Sequence, residues 1–301
     1  MTTRAMGPAK GWDWLMRAVN LGRNNPKAIF GAVAWVALVA LIPTIIQLFL
    51  QYVFKASPSA IMSVIGVTTL FSILLYPLLI GGLLRVIDAA ENGRPTRAGA
   101  VFDAFRNGGG AGRLIGFGLF MAAIYIGLFL LIITFFGHDF MQWYWKLITA
   151  TQTNPAAAAE VAELPHGFGL VMALGSLVGI FMGGVYALGF GQVALGGQSV
   201  GKAMSDGFSG TLKNVLPILV LVLLAFLAYI VLVIAVLIIF LIIGIISAIS
   251  KVLGAILAVP VVIAMVVALY AVMFGVMYYM WRDICGDATS VPTSPADQLQ
   301  A

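Results

Sequence analysis

The chain has 301 residues, 62% of them hydrophobic and 9% charged, with a net charge of +5. Soluble domains carry about 25% charged residues, so a water-soluble domain is excluded. Nucleic acid is not the expected partner, because the cations stand at the ends of apolar runs, as loop charges do in membrane proteins. Polar sequence extends to Lys27 and the first apolar run begins near Ala28. That run is longer and later than the roughly 7–15-residue apolar core of a cleaved signal.

About 20 apolar residues in a helix match the roughly 30 Å hydrocarbon core of a bilayer. On that measure six spans are predicted, at 28–53, 60–85, 114–136, 167–195, 215–246 and 252–281. The last pair is the clearest, since only Lys251 is charged between Asn214 and Trp281. One helix over 214–250 would extend about 55 Å, more than one crossing and less than two. Lys251 therefore marks the turn of a helical hairpin. Pro43, Pro77 and Pro260 fall inside spans and should kink them. Membranes tolerate this when neighbours satisfy the freed carbonyls. The expected fold is all-α and polytopic: one transmembrane domain over 1–286, then a polar tail at 287–301.

Orientation follows from the basic residues. Of the 16, all but Lys55, Lys146 and Lys251 fall on one set of connecting segments. The positive-inside rule then puts both termini in the cytoplasm. The one sizeable outer loop, 137–166, holds Trp143, Tyr144 and Trp145 beside Lys146. These residues suit an anchor in the headgroup layer. Asn154-Pro155 ahead of Ala156–Glu163 reads as a short capped helix.

Three cytoplasmic stretches resemble one another: Gly11–Pro26, Thr96–Asn107 and Ser199–Asn214. Each has apolar residues three or four apart. Each ends in a basic residue and an asparagine before a span (Arg23-Asn24, Arg106-Asn107, Lys213-Asn214). Thr96 and Ser199 suit N-caps. Such amphipathic surface helices are expected to lie in the headgroup plane, apolar face down. Two origins account for the likeness: a threefold parallel repeat of surface helix plus hairpin, or the need of every hairpin for an amphipathic lead-in.

Gly11-Trp12 through Asn25-Pro26, Pro77–Gly82 with Asp103–Arg106, Ser199–Asn214 and Tyr279–Gly286 together carry a family resemblance. The chain resembles a family of bacterial six-helix inner-membrane proteins, a domain of unknown function. More distantly it is similar to YciC-type inner-membrane proteins and to the membrane domain of some glycerophosphodiester phosphodiesterases. The resemblance implies a fold and an inner-membrane location. It carries no catalytic or binding residue. The run Gly108–Gly110 departs from the family pattern.

Chemistry has few footholds. No ionisable residue stands in a span centre, which weighs against proton-coupled transport, ion pumping or intramembrane proteolysis. His138 and His166, with Asp139, Glu160 and Glu163, match no metal-ligand spacing. Gly108–Arg113 has the look of a phosphate cradle but lacks the preceding strand, and a hinge is the plainer reading. Gly175, Gly179 and Gly183 form a small-residue face for helix packing within the bundle or between copies. Gln47, Thr68, Thr69, Ser176 and Gln192 are candidates for a pore lining or for interhelical hydrogen bonds. Arg23, Arg85, Asp88, Arg106, Lys213 and Arg282 form a cytoplasmic rim suited to lipid headgroups or partner proteins, or simply to solvent. No catalytic residue, metal or cofactor is expected. The leading reading is a non-enzymatic inner-membrane protein engaging lipids, a second copy of itself or other membrane proteins. The alternative is a transporter or channel for a small or hydrophobic solute.

Overall fold

The computed structural model describes residues 3–55, 57–106, 108–137, 139–153 and 163–286. Asn107, His138, Glu160, most of the helix expected over 156–163 and the tail 287–301 lie outside the described residues. These form α1 (Lys10–Val19), α2 (Pro26–Tyr52), α3 (Pro58–Glu91), a 3-10 helix (Ala98–Phe105), α4 (Ala111–Phe136), α5 (Phe140–Thr153), α6 (Phe168–Ala194), α7 (Val200–Lys213), α8 (Val215–Ile249) and α9 (Lys251–Ile284). No strand occurs among the described residues. Helices α2, α3, α4, α6, α8 and α9 are each long and apolar enough to cross a membrane. The protein is thus an all-α polytopic membrane protein. A helix is the natural answer to these apolar runs, because it satisfies every backbone group within one segment where no water can.

Pro43, Pro77 and Pro260 sit inside α2, α3 and α9, which continue through them. Helix α3 runs past Arg85 to Glu91. Only Ser250 separates α8 from α9, and its Oγ accepts from Leu253 N at 3.4 Å as an N-cap. Large apolar side chains of α8 such as Leu223, Val231, Leu237 and Leu241 are exposed, as lipid-facing residues are.

The chain divides into two compact units, one drawn from Met1–Val39, Leu78–Leu114 and Gly184–Ala301, the other from Ala40–Pro77 and Ile115–Gly183. In the second unit Ile133, Phe140 and Val171 form a small core with Trp143 and Phe168 packed on it. Phe140 lies 5.8 Å from Trp143 and 6.0 Å from Phe168, ring centre to ring centre. The aromatic anchor expected in a loop is therefore part of a helix, α5, with Tyr144 and Trp145 exposed.

The glycine face of α6 stands open among the described residues. A Cβ at Gly175, Gly179 or Gly183 would meet nothing within 4 Å among the described residues, and all three are exposed. The glycines that permit close approach stand elsewhere, in the first unit. Gly184 lies against Thr211, Gly191 against the Trp281 ring and Gly82 against the Val101 carbonyl.

The first unit holds most of the buried core: Ile29 and Val33 of α2, Leu79, Leu83, Leu84 and Ile87 of α3, Val185, Leu188 and Phe190 of α6, and Tyr278 and Ile284 of α9. Two surface-helix expectations change here. The apolar face of α1 (Gly11, Trp14, Leu15, Ala18) is buried by protein rather than turned to lipid. Gly11 sits against Pro217 O and Leu221 N of α8, and Gly275 of α9 is so close to α1 that an added Cβ would stand 3.0 Å from Ala18 Cβ. The stretch after Thr96 is a 3-10 helix with Arg97 at its N-cap, so Thr96 does not cap it. Ser199 does cap α7, accepting from Lys202 N at 3.4 Å. On α7, Ala203, Gly207, Gly210 and Thr211 are buried while Phe208 and Leu212 face outward.

Candidate functional site

The polar chemistry of the first unit gathers where α2 and α8 begin and α3 and α9 end. Helix α9 finishes Tyr278-Tyr279-Met280-Trp281-Arg282-Asp283, so an apolar helix closes in groups with polar tips. Its last carbonyls have no intrahelical donors. Arg4 supplies them: Nε donates to Asp283 O at 2.7 Å, and Nη2 to Arg282 O at 3.0 Å and Gly286 O at 2.8 Å. The backbone N–H of Arg4 donates to Ile284 O at 2.9 Å. A cation at a helix C-terminus also meets the negative end of the dipole. Asn214, fully buried, holds the same segment: Nδ2 donates to Arg4 O at 2.9 Å and Oδ1 accepts from Met6 N at 2.7 Å. Lys213 Nζ donates to Thr3 O at 3.1 Å.

Asp283 is the hub of the charged cluster. Its Oδ2 accepts from Trp14 Nε1 at 3.0 Å and Arg17 Nη2 at 2.5 Å, with Lys10 Nζ at 3.3 Å. Burial alone would lower the Lys10 ammonium. A hydrogen bond to Asp13 and the charges of Asp283 and Asp13 outweigh it and raise the group above its usual range. Lys10 therefore stays charged throughout the physiological range. The guanidinium of Arg17 lies 4.6 Å over the Tyr279 ring, a cation–π contact. Tyr279 OH donates to Glu91 Oε2 at 2.6 Å, and Tyr278 OH to Asp88 Oδ1 at 3.2 Å. Asp88 also pairs with Arg94.

Between these groups is an open cleft of about 560 Å³, lined by Met16, Arg17, Asn20, Arg23, Asn24, Glu91, Tyr279, Arg282 and Asp283. Its two carboxylates are already engaged, Asp283 by Lys10, Trp14 and Arg17, and Glu91 by Tyr279. Arg23 makes no hydrogen bond or ion pair with a described residue, and Arg17 Nε is buried without a hydrogen-bond partner among them. Asp283 thus neutralises Arg17 and Glu91 is held by Tyr279, which leaves Arg23 and the Arg17 Nε–H as donors without a partner among the described residues. An anion is the ligand that such an arrangement accepts.

A second network is buried and closed. Gln192 Nε2 donates to Asp206 Oδ2 at 2.7 Å, Lys202 Nζ pairs with the other oxygen of Asp206, and Trp281 Nε1 donates to Gln192 Oε1 at 3.3 Å. It ties α6, α7 and α9 together. Beside it, burial and the charge of Asp206 push the Cys285 thiol up to about 12.

The remaining sequence candidates scatter. Arg23 and Arg282 line the cleft, whereas Arg106 is exposed and only pairs with Asp103 at 3.4 Å. Arg85 points elsewhere, to Ala194 O at 3.0 Å. Gln192 is buried in its network. Thr68 Oγ1 returns to Val64 O of its own helix at 2.8 Å, and Thr69 and Ser176 are exposed. Among the described residues no hydrogen bond joins Gln47, Thr68, Thr69 or Ser176 to one another. Likewise no group of His, Cys, Asp and Glu is placed to hold a metal ion. Arg17, Glu91 and Tyr279 also line the cleft and were not among the site candidates. The tyrosine pair just before Arg282-Asp283 was the available signal. No family model matches the chain, and no curated protein or solved structure compared with it does.

Proposed function

We propose that this integral membrane protein is a non-enzymatic protein of a bacterial inner membrane, and that its helix-end cleft engages anionic lipid headgroups. The observation that carries the reading is the unpaired Arg23 beside Arg17 and Arg282 in a cleft whose acids are already bonded. Exposed Trp12, Phe208 and Leu212 stand near the same helix ends and suit the headgroup layer. The bias of basic residues supports placing this end, and both termini, in the cytoplasm. There it would meet the anionic lipid surface, which attracts basic groups.

The test is the phospholipid retained by protein purified in mild detergent, measured by native mass spectrometry. Wild type should hold anionic phospholipid in preference to phosphatidylcholine, and Arg23→Gln should lower retention severalfold without changing the elution volume. Equal retention of both lipids by wild type, or no loss in the variant, would refute the proposal.

A further inference from the structure

A second cationic site stands apart from the cleft, where α3 and α4 approach the end of α6. Arg85 Nε donates to Ala194 O at 3.0 Å, and Arg113 Nη1 donates to Gly197 O. Each guanidinium spends one N–H on a carbonyl and turns others toward Gly110. A Cβ placed on Gly110 would stand 3.2 Å from Arg113 Nη2 and 3.6 Å from Arg85 Nη2. The two forks therefore converge over one glycine. Among the described residues no carboxylate pairs with either arginine, and the interaction between the two is repulsion.

The chain is shaped to keep them there. Gly108 and Gly110 have φ of 86° and 72°, a left-handed backbone open chiefly to glycine. Between them a Cβ on Gly109 would stand 2.7 Å from Ala104 O and 2.8 Å from Asp103 O. The glycine run that looked like a hinge is a tight turn that seats Arg113 in the first turn of α4, facing Arg85. Two like charges converging, with Arg85 half-buried, are unfavourable unless an anion joins them. A carboxylate presents two coplanar oxygens, enough for one fork. A phosphate monoester presents three terminal oxygens and close to two negative charges, enough for both.

We propose that Arg85 and Arg113 together bind a phosphate monoester group, borne by a phosphatidic-acid-type lipid or by a soluble phosphate. The test is the melting temperature of the full chain in neutral detergent. It is titrated with inorganic phosphate against chloride at equal ionic strength, and with dioctanoyl phosphatidic acid against dioctanoyl phosphatidylcholine. Wild type should show a saturable rise with inorganic phosphate or with phosphatidic acid and none with phosphatidylcholine. A rise with inorganic phosphate identifies a soluble source, and a rise confined to phosphatidic acid identifies the lipid. Arg113→Gln, at an exposed position, should weaken the response roughly tenfold or more in midpoint concentration. Arg85→Gln should do the same, and Arg97→Gln, an equal loss of charge elsewhere, should not. Should Arg85→Gln fail to fold, Arg113→Gln decides alone. No saturable response in wild type, or an unchanged midpoint in Arg113→Gln, overturns the proposal.

Discussion

Arg4 is the sharpest place to test how this end of the protein is held. Replacing it with glutamine removes three hydrogen bonds from a charged donor, to the carbonyls of Asp283, Arg282 and Gly286. Bonds to charged groups contribute about 1.5–3 kcal/mol each when the partner is left unsatisfied. These carbonyls are only partly buried, and water will recover much of that, so about 1 kcal/mol each is the reasonable figure. The sum, about 3 kcal/mol, corresponds to a fall in melting temperature of roughly 6–12 °C at 2–4 °C per kcal/mol. Arg4→Lys separates geometry from charge. A lysine keeps the favourable charge at the α9 terminus, about 0.3–1 kcal/mol, but cannot fork across three carbonyls. It should recover no more than a third of the loss. The assay is thermal unfolding in detergent, read by size-exclusion fluorescence, with hydrogen exchange over 281–286. A shift under about 2 °C for Arg4→Gln, or full recovery by lysine, would refute the clamp.

Other consequences follow from the same packing. Gln192→Leu strands both Trp281 Nε1 and one oxygen of buried Asp206, and should destabilise by about 2–4 kcal/mol in the same melt. Cys285 should resist maleimide at pH 7–8 in the folded protein and react once SDS unfolds it, since burial pushes its thiol up to about 12. The folded state holds that proton more tightly than the unfolded chain does. The thiol's contribution to stability is therefore complete below the unfolded pKa of about 8.5 and declines as pH rises through it toward the folded value. Gly191→Ala should lower the melting temperature because its Cβ collides with the Trp281 ring, whereas Gly179→Ala, in open space, should leave it within about 1 °C.

The six spans were legible because each is a long apolar run bounded by charge, a signal that survives any detail of packing. The cleft was half legible. Arg23 and Arg282 stand out as rim cations, but nothing in the sequence pairs Arg17 with Asp283, which are 266 positions apart. Arg4 reads as one more basic residue in a polar lead, and only the tertiary fold turns it into a cap. The glycine face was legible only as a pattern. Spacing by four tells which residues share a side of α6, not whether another helix of the chain comes to that side. Gly108–Gly110 was ambiguous because a hinge and a left-handed turn use the same residue. The φ values show the turn.

The hold of Arg4 on the end of α9 bears on how the protein is made. Arg4 and its carbonyl partner at Asp283 are separated by 279 positions, and Trp14 and Asp283 by 269. Ribosomal synthesis proceeds at about 5–20 residues per second, so Arg4 and Trp14 emerge many seconds before anything they bind. Helix α1 is therefore complete before α8 and α9, the helices it packs against, have been made. A nascent chain halted before α9 would leave the Asp283 partners of Trp14 and Arg17 unmade, and α1 should then be more open to protease than in the full chain.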